Sequence, residues 1–251
     1  MGIRPVADFE TLNYQIMTDL NTSTEATITD ETAIGFIPCY RLPFLSLFHA
    51  DCMDIMKQYP DKYFDLAIVD PPYGIGASEM QMGNNSKKKW NKGKNWDNET
   101  PTNEYWDELF RVSKNQIVWG ANWYGKYFGV GGLVWFKDNT GNYSPCEYAY
   151  QSINNHIHHY QYRWNGMLQQ NMKQKEERIH PTQKPVALYD WILQKFAKQG
   201  DLILDTHLGS GSSRIAAHKG GFNFIGYEIS KDYYEAQEKR FKDFVSQLRL
   251  F

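Results

Sequence analysis

The sequence has little cysteine, no long apolar run and almost no net charge. Of 251 residues only Cys39, Cys52 and Cys146 are cysteines, and they are far apart. They form neither a disulfide framework nor a zinc-ligand spacing, so a reducing cytoplasm is the expected compartment. No segment approaches the roughly 20 consecutive apolar residues that cross a bilayer, so no membrane attachment is expected. The opening stretch MGIRPVADFE carries acids where a secretory signal would be apolar. The 27 Lys+Arg nearly cancel the 29 Asp+Glu, which excludes a chain that binds polyanions over its whole surface but leaves room for a local basic groove. There is no G-x-x-x-x-G-K-[ST] stretch and hence no ATP-type P-loop. No internal repeat is visible.

What is present points to a globular α/β protein. A hydrophobic fraction of 41% and an aromatic fraction of 16% are too high for a disordered chain. A globule of this size buries roughly 70–75% of its unfolded surface and needs no covalent or metal staple. Residues 1–40 read as a polar, acidic extension, with NTSTEATITDETA at its centre. Compact structure is expected from about Leu45. LSLFHADC (45–52) is a short apolar strand, Met53–Tyr59 has helical spacing, and FDLAIVD (64–70) is a continuous apolar run of the kind found in parallel sheets. Residues 74–104 lack periodicity and read as a long functional loop. Strands are expected at Gln116–Trp119, Leu133–Trp135, Glu147–Ser152 and Tyr160–Trp164. A helix follows over 185–200, with Pro185 in its first turn and Gly200 beyond its end. A strand at 201–205, a glycine turn, a helix over Ser212–Lys219, a strand at 222–228 and a helix from Lys231 complete a right-handed βαβ unit.

Two segments carry chemistry. The first is Asp205-Thr206-His207-Leu208-Gly209-Ser210-Gly211, where a strand meets a helix. Glycines there let a ligand approach the backbone. Twenty-three residues beyond Asp205, Glu228 closes the next strand, the position from which an acid hydrogen-bonds a ribose diol. Read alone, the glycines are equally a tight β-to-α turn with no ligand. The full G-x-G-x-x-G spacing is absent, which favours a mononucleoside over a dinucleotide. The second segment is Asp70-Pro71-Pro72-Tyr73, directly after the apolar run. Two prolines remove two N–H donors, leaving the Asp70 carboxylate and backbone carbonyls as acceptors beside an aromatic ring. That suits a planar group bearing an NH₂. An acid closing so apolar a strand is costly unless partnered or functional.

These segments resemble the motifs of the β-class DNA amino-methyltransferases. Asp70–Tyr73 is similar to the family's catalytic D-P-P-Y, DTHLGSGSS (205–213) to its D-P-F-x-G-S-G-T loop, His180-Pro181-Thr182-Gln183-Lys184-Pro185 to its H-P-T-x-K-P segment, and FIGYEIS (224–230) to its acidic strand end. The catalytic motif precedes the cofactor loop, the circularly permuted order of that class. NQIVWGANWY (115–124) and LVWFKD (133–138) resemble phage and prophage members. Thr206 and His207 stand where the family has Pro and Phe.

The resemblance implies a Rossmann-like class I methyltransferase fold, with a mostly parallel seven-stranded sheet and helices on both faces. It would form one catalytic domain over 41–251, with a DNA-contact loop inserted at about 74–104. It implies S-adenosyl-L-methionine as cofactor, held by Asp205, Gly209, Ser210, Gly211 and Glu228, with Thr182 and Lys184 at its carboxylate and Asp51 near its adenine. Asp51 is equally an N-cap for the following helix. The implied reaction is direct transfer to an exocyclic amine, with Asp70 and Pro71 as acceptors, Pro72 shaping the turn and Tyr73 stacking the base. Adenine N6 is preferred, because the family's cytosine-N4 members more often carry Ser at the first motif position. A catalytically silent DNA-binding subunit is the other class of reading. Duplex DNA is the implied partner. GNNSKKKWNKGKNW (83–96), with five lysines, no acid and two tryptophans, suits phosphate contact through Lys87, Lys88, Lys89, Lys92 and Lys94. A homodimer and a cognate restriction endonuclease are further partners the resemblance allows. No metal is expected: His156, His158 and His159 read as a strand face.

Overall fold

The computed structural model describes residues 44–79, 96–126, 128–139, 144–165 and 168–248. The chain divides after Phe44, and the second unit runs from Leu45. The expected extension at 1–40 and the lysines at 87–94 lie outside the described residues.

Eight strands form one sheet: β1 (Leu45–Phe48), β2 (Phe64–Val69), β3 (Ser113–Trp119), β4 (Gly132–Phe136), β5 (Cys146–Gln151), β6 (Ile157–Gln161), β7 (Leu202–Asp205) and β8 (Asn223–Tyr227), in the order β1-β8-β7-β2-β3-β5-β4-β6. The expected count of seven is therefore corrected to eight. Ile157–Gln161 adds an edge strand, pairing in parallel with β4 from Gly132↔Ile157 to Phe136↔Gln161. Only β5 runs against its neighbours, antiparallel to both β3 and β4. The helices are α1 (Cys52–Met56), α2 (Asn103–Val112), α3 (Val186–Phe196), α4 (Ser212–Gly220) and α5 (Lys231–Leu248). Helix α2 begins inside the stretch expected to be loop. Its Tyr105, Trp106, Leu109 and Val112 are buried, a one-face spacing that sequence reading passed over.

The sheet is covered on both faces. Leu66 and Ile68 of β2 join Ile117 and Trp119 of β3, Leu188 and Ile192 of α3 and Ile215 of α4 in one apolar cluster. The alternate residues Ala67, Val69 and Val118 are fully buried as well, which is why β2 reads as an unbroken apolar run. Because β1, β8, β7, β2 and β3 are mutually parallel, their carboxyl ends meet along one edge of the sheet. Asp51, Glu228, Asp205, Asp70 and Gly120 all lie at or just beyond those ends. Ligands of open α/β sheets bind at such an edge, where the strand order reverses.

Candidate active site

The glycine turn between β7 and α4 is held from within. Asp205 is 2% exposed. Its Oδ1 accepts from the His207 amide at 3.0 Å and its Oδ2 from the Ser213 hydroxyl at 2.5 Å. Burial pushes its carboxyl up to about 7, against those two hydrogen bonds. Thr206 Oγ1 lies 2.7 Å from the Tyr105 hydroxyl of α2 and 2.9 Å from His207 Nδ1, so the residues that depart from the family's Pro-Phe are anchored by a tyrosine. Gly209 and Gly211 adopt φ of +51° and +71°, where only glycine is unstrained. A Cβ on Gly211 would also meet Gln237 of α5 at 3.1 Å, whereas one on Gly209 would find nothing nearer than the His180 ring at 3.7 Å. Ser210 is buried, with its Oγ 3.1 Å from that of Ser212.

Glu228 and Asp51 cap the neighbouring strands. Glu228 accepts from the amides of Gly209 and Ser230, each at 2.8 Å, which fixes the carboxylate across the glycine turn. Asp51 caps α1 by accepting from the Met53 amide at 2.9 Å. Opposite Gly209, His180 packs against Tyr233 and Trp96 at ring separations of 4.3 and 5.1 Å. Burial, aided by the charges of Lys184 and Arg178, holds His180 down at about 3 and therefore neutral. Carboxylate acceptors, a glycine turn facing the His180 ring at ordinary contact distance and a neutral aromatic wall fit a nucleoside bearing hydroxyls.

The Asp70 end differs in kind. Asp70 accepts from the Tyr73 hydroxyl at 2.6 Å through Oδ1 and from Lys184 Nζ at 2.5 Å through Oδ2. Lys184 also stands 3.2 Å from Glu147 Oε2 and 3.1 Å from the Tyr73 oxygen. Its ammonium thus points to Asp70 and not to the glycine turn, which it reaches only through its carbonyl, accepting from Ser212 Oγ at 2.8 Å. Burial works against the Lys184 charge, but Asp70 and Glu147 outweigh it and hold its pKa up. Burial likewise opposes the Glu147 charge, and Lys184 with Lys137 brings that carboxyl down to about 2. Thr182 is exposed at the rim.

The turn after Asp70 is clamped by Asp97, which accepts from the amides of Tyr73, Gly74 and Ala77 at 2.6, 3.1 and 2.7 Å. The Pro71 carbonyl accepts from the Tyr124 hydroxyl at 2.8 Å, leaving its second lone pair for another donor. A Cβ on Gly120 would sit 2.2 Å from Tyr73 Cε1 and 2.6 Å from both Cδ1 and Cζ. That places it directly over the ring, so Gly120 lets β3 lie flat against one face of Tyr73. Trp123, about half exposed, holds its ring within 11° of parallel to Tyr73 at 6.5 Å. A cavity of about 680 Å³ opens here, lined by Asp70–Tyr73, Trp123, Glu147, Arg178 and Lys184 among others.

Sequence reading missed Asp97, Tyr124 and Glu147. Asp97 and Tyr124 act on backbone groups twenty or more residues away, and nothing local announces that. Glu147 did carry a weaker signal: it is the one acid in a strand whose middle, Tyr148-Ala149-Tyr150, is aromatic and apolar.

A family model described as DNA methylase matches residues 134–239. The chain is 26% identical to Type II methyltransferase M2.DpnII of Streptococcus pneumoniae, over 81% of this chain and 91% of that protein. It is equally 26% identical to Type II methyltransferase M2.MboI of Moraxella bovis, over 81% and 90%. Among solved structures it resembles the M1.HpyAVI–SAM complex (TM-score 0.51, 19% identity, 78% of this chain and 100% of that one). It also resembles the PvuII cytosine-N4-specific DNA methyltransferase (TM-score 0.55, 14% identity, 80% and 87%). The structural likenesses establish the class I methyltransferase fold. In sequence the chain is similar to a DNA methylase family over residues 134–239 and to Type II methyltransferases.

Proposed function

We propose that the protein transfers a methyl group to the exocyclic N6 amine of adenine in DNA, as a permuted β-class enzyme. The observation that carries this reading is the Asp70 turn. A carboxylate and a prolyl carbonyl converge at the carboxyl end of β2, in a cavity floored by Tyr73 and one strand away from the glycine turn.

S-adenosyl-L-methionine supplies an electrophilic methyl group when bound. Glu228 and Asp51 are the residues we assign to its ribose and adenine. The glycine turn, with Gly209, Ser210 and Gly211 braced by Asp205, gives its backbone a close approach, and Thr182 stands at the rim. Asp70 and Pro71 accept the two N–H bonds of the base amine and orient its lone pair. As the nitrogen turns positive, the Asp70 carboxylate stabilises it, the kind of preorganised electrostatic contribution that dominates many enzymes. Tyr73 offers the ring face not covered by Gly120 to the base. Burial, with Asp70 and Glu147 nearby, raises the Tyr73 pKa well above its ordinary value, so the phenol stays protonated and hydrogen-bonded to Asp70. An amine inside a duplex cannot enter this cavity, so the nucleotide is extruded. Lys87, Lys88, Lys89, Lys92 and Lys94 follow the catalytic turn in sequence and supply phosphate contacts.

Asp at the first motif position favours adenine over cytosine. Nucleoside mass spectrometry of duplex DNA incubated with protein and S-adenosyl-L-methionine tests this. N6-methyladenine is expected, N4-methylcytosine would reassign the base, and unmodified DNA would overturn the reading.

A further inference from the structure

The carboxylate that must receive the base amine already has both oxygens engaged. Tyr73 holds Oδ1 and the Lys184 ammonium holds Oδ2. A buried ammonium cannot surrender its only anion without becoming an unpaired buried charge, which is strongly unfavourable. Lys184, 3% exposed in its side chain, has a second anion within reach. Glu147 stands opposite Trp135 in the β4–β5 ladder, and its Oε2 lies 3.2 Å from Lys184 Nζ. Its other oxygen is ion-paired with Lys137, which itself lies over the Trp135 ring at 5.3 Å, so Glu147 is held from behind. The Trp119 and Tyr73 rings, 5.3 and 5.6 Å from the same ammonium, wall the slot in which it sits. Asp70, Lys184, Glu147 and Lys137 therefore alternate in sign along one chain of contacts.

We propose that Glu147 is a positioning residue for methyl transfer, receiving the Lys184 ammonium as Asp70 turns its Oδ2 to the base amine. This rests on the reading of Asp70 as amine acceptor. The exchange does two things. It frees the stronger acceptor of the site, and it draws a positive charge away from a nitrogen that is becoming positive, where like charges in a partly dry site repel strongly. Both effects grow toward the transition state, so they act on turnover more than on binding.

Glu147→Gln keeps the shape and removes the charge. It is expected to lower kcat ten- to a hundredfold, with the Kd for S-adenosyl-L-methionine and the KM for duplex DNA each within threefold of the parent. Glu147→Asp keeps the charge with a shorter reach and is expected to recover at least fivefold of that loss. If the Gln variant does not fold, the Asp variant decides: kcat below the parent with unchanged binding supports the role. Parental kcat in the Gln variant, or in the Asp variant where only that one folds, overturns it, as does a loss confined to KM or cofactor binding. Asp70→Asn in the same assay separates the two ideas. If it keeps the parental rate, the reading of Asp70 itself fails. If it is inactive while Glu147→Gln is parental, only the role of Glu147 fails.

Discussion

The two ends of the site treat titratable groups in opposite ways. Around the glycine turn burial wins: His180 is held at about 3, His207 at about 4, and Asp205 is raised to about 7. Around Asp70 pairing wins: Glu147 is held near 2 and the Lys184 pKa is raised despite burial. One end offers neutral rings beside the Glu228 carboxylate, the other a set of balanced charges. A ligand that is bound needs only complementary contacts. A nitrogen that gains charge during reaction needs an anion whose partners can be rearranged. On the proposed function the first end binds and the second carries the chemistry, and that assignment can be broken.

The largest expected effect is at Asp70. Asp70→Asn keeps one acceptor and loses the charge that stabilises the developing cation. It also leaves Lys184 with Glu147 alone. Turnover should fall by about 10²–10³, the order seen when a comparable electrostatic group is removed, while S-adenosyl-L-methionine affinity stays within a few fold. Single-turnover kinetics with calorimetric titration checks both halves. A loss shared equally between turnover and cofactor binding would erase the distinction between the two ends.

A mirror-image result is expected at Glu228. Its carboxylate spans the glycine turn through the amides of Gly209 and Ser230, so Glu228→Ala removes both a ligand acceptor and a brace. Calorimetry should show cofactor affinity weakened about tenfold, the size of one charged hydrogen bond. With saturating cofactor, turnover should stay near the parent. An unchanged Kd would remove Glu228 from the binding end.

Much of this arrangement was legible in the sequence because it rests on local rules. The unbroken apolar run of β2 announced a strand covered on both faces. Seven of the eight segments named as strands pair in the sheet where they were expected, while the one expected at Tyr160–Trp164 lies three residues earlier, at Ile157–Gln161. Asp70 and Glu228 stood out as acids closing apolar strands, and the structure sets them along one sheet edge, on either side of Asp205. What stayed hidden is long-range. Asp97 clamps amides twenty to twenty-four residues before it. Tyr105 of α2 satisfies Thr206 a hundred residues later, which is how the turn tolerates polar residues where the family has Pro and Phe. Lys184 belongs by sequence to a cofactor segment, yet its ammonium lies with Asp70 because two anions converge there. Pairing partners of buried charges are set by the fold's register, which no local pattern encodes.

The smallest expected effect tests the neutral end by its pH dependence. A histidine whose folded pKa is depressed stays neutral while the unfolded chain takes up a proton below roughly 6.5. His180 and His207 therefore cost stability progressively as pH falls from 6.5 toward about 4. Asp205 has the opposite sign. Its folded pKa is raised to about 7, so the folded state holds a proton that the unfolded chain releases above roughly 3.9. Its contribution improves as pH falls below 7 and is lost as pH rises through that value. Between pH 6.5 and 5 it offsets about one of the protons that the histidines give to the unfolded state. Asp205→Asn keeps an acceptor for the His207 amide and turns an NH₂ toward the Ser213 hydroxyl, which can accept, but it cannot take up that proton. The acid-side slope of unfolding free energy against pH should therefore steepen by about one proton, or roughly 1.4 kcal/mol per pH unit. Chemical denaturation at pH 6.5, 6.0, 5.5 and 5.0 on parent and variant measures it. Parallel slopes would mean that Asp205 stays ionised in the fold from pH 6.5 down to 5.0, against the raised value.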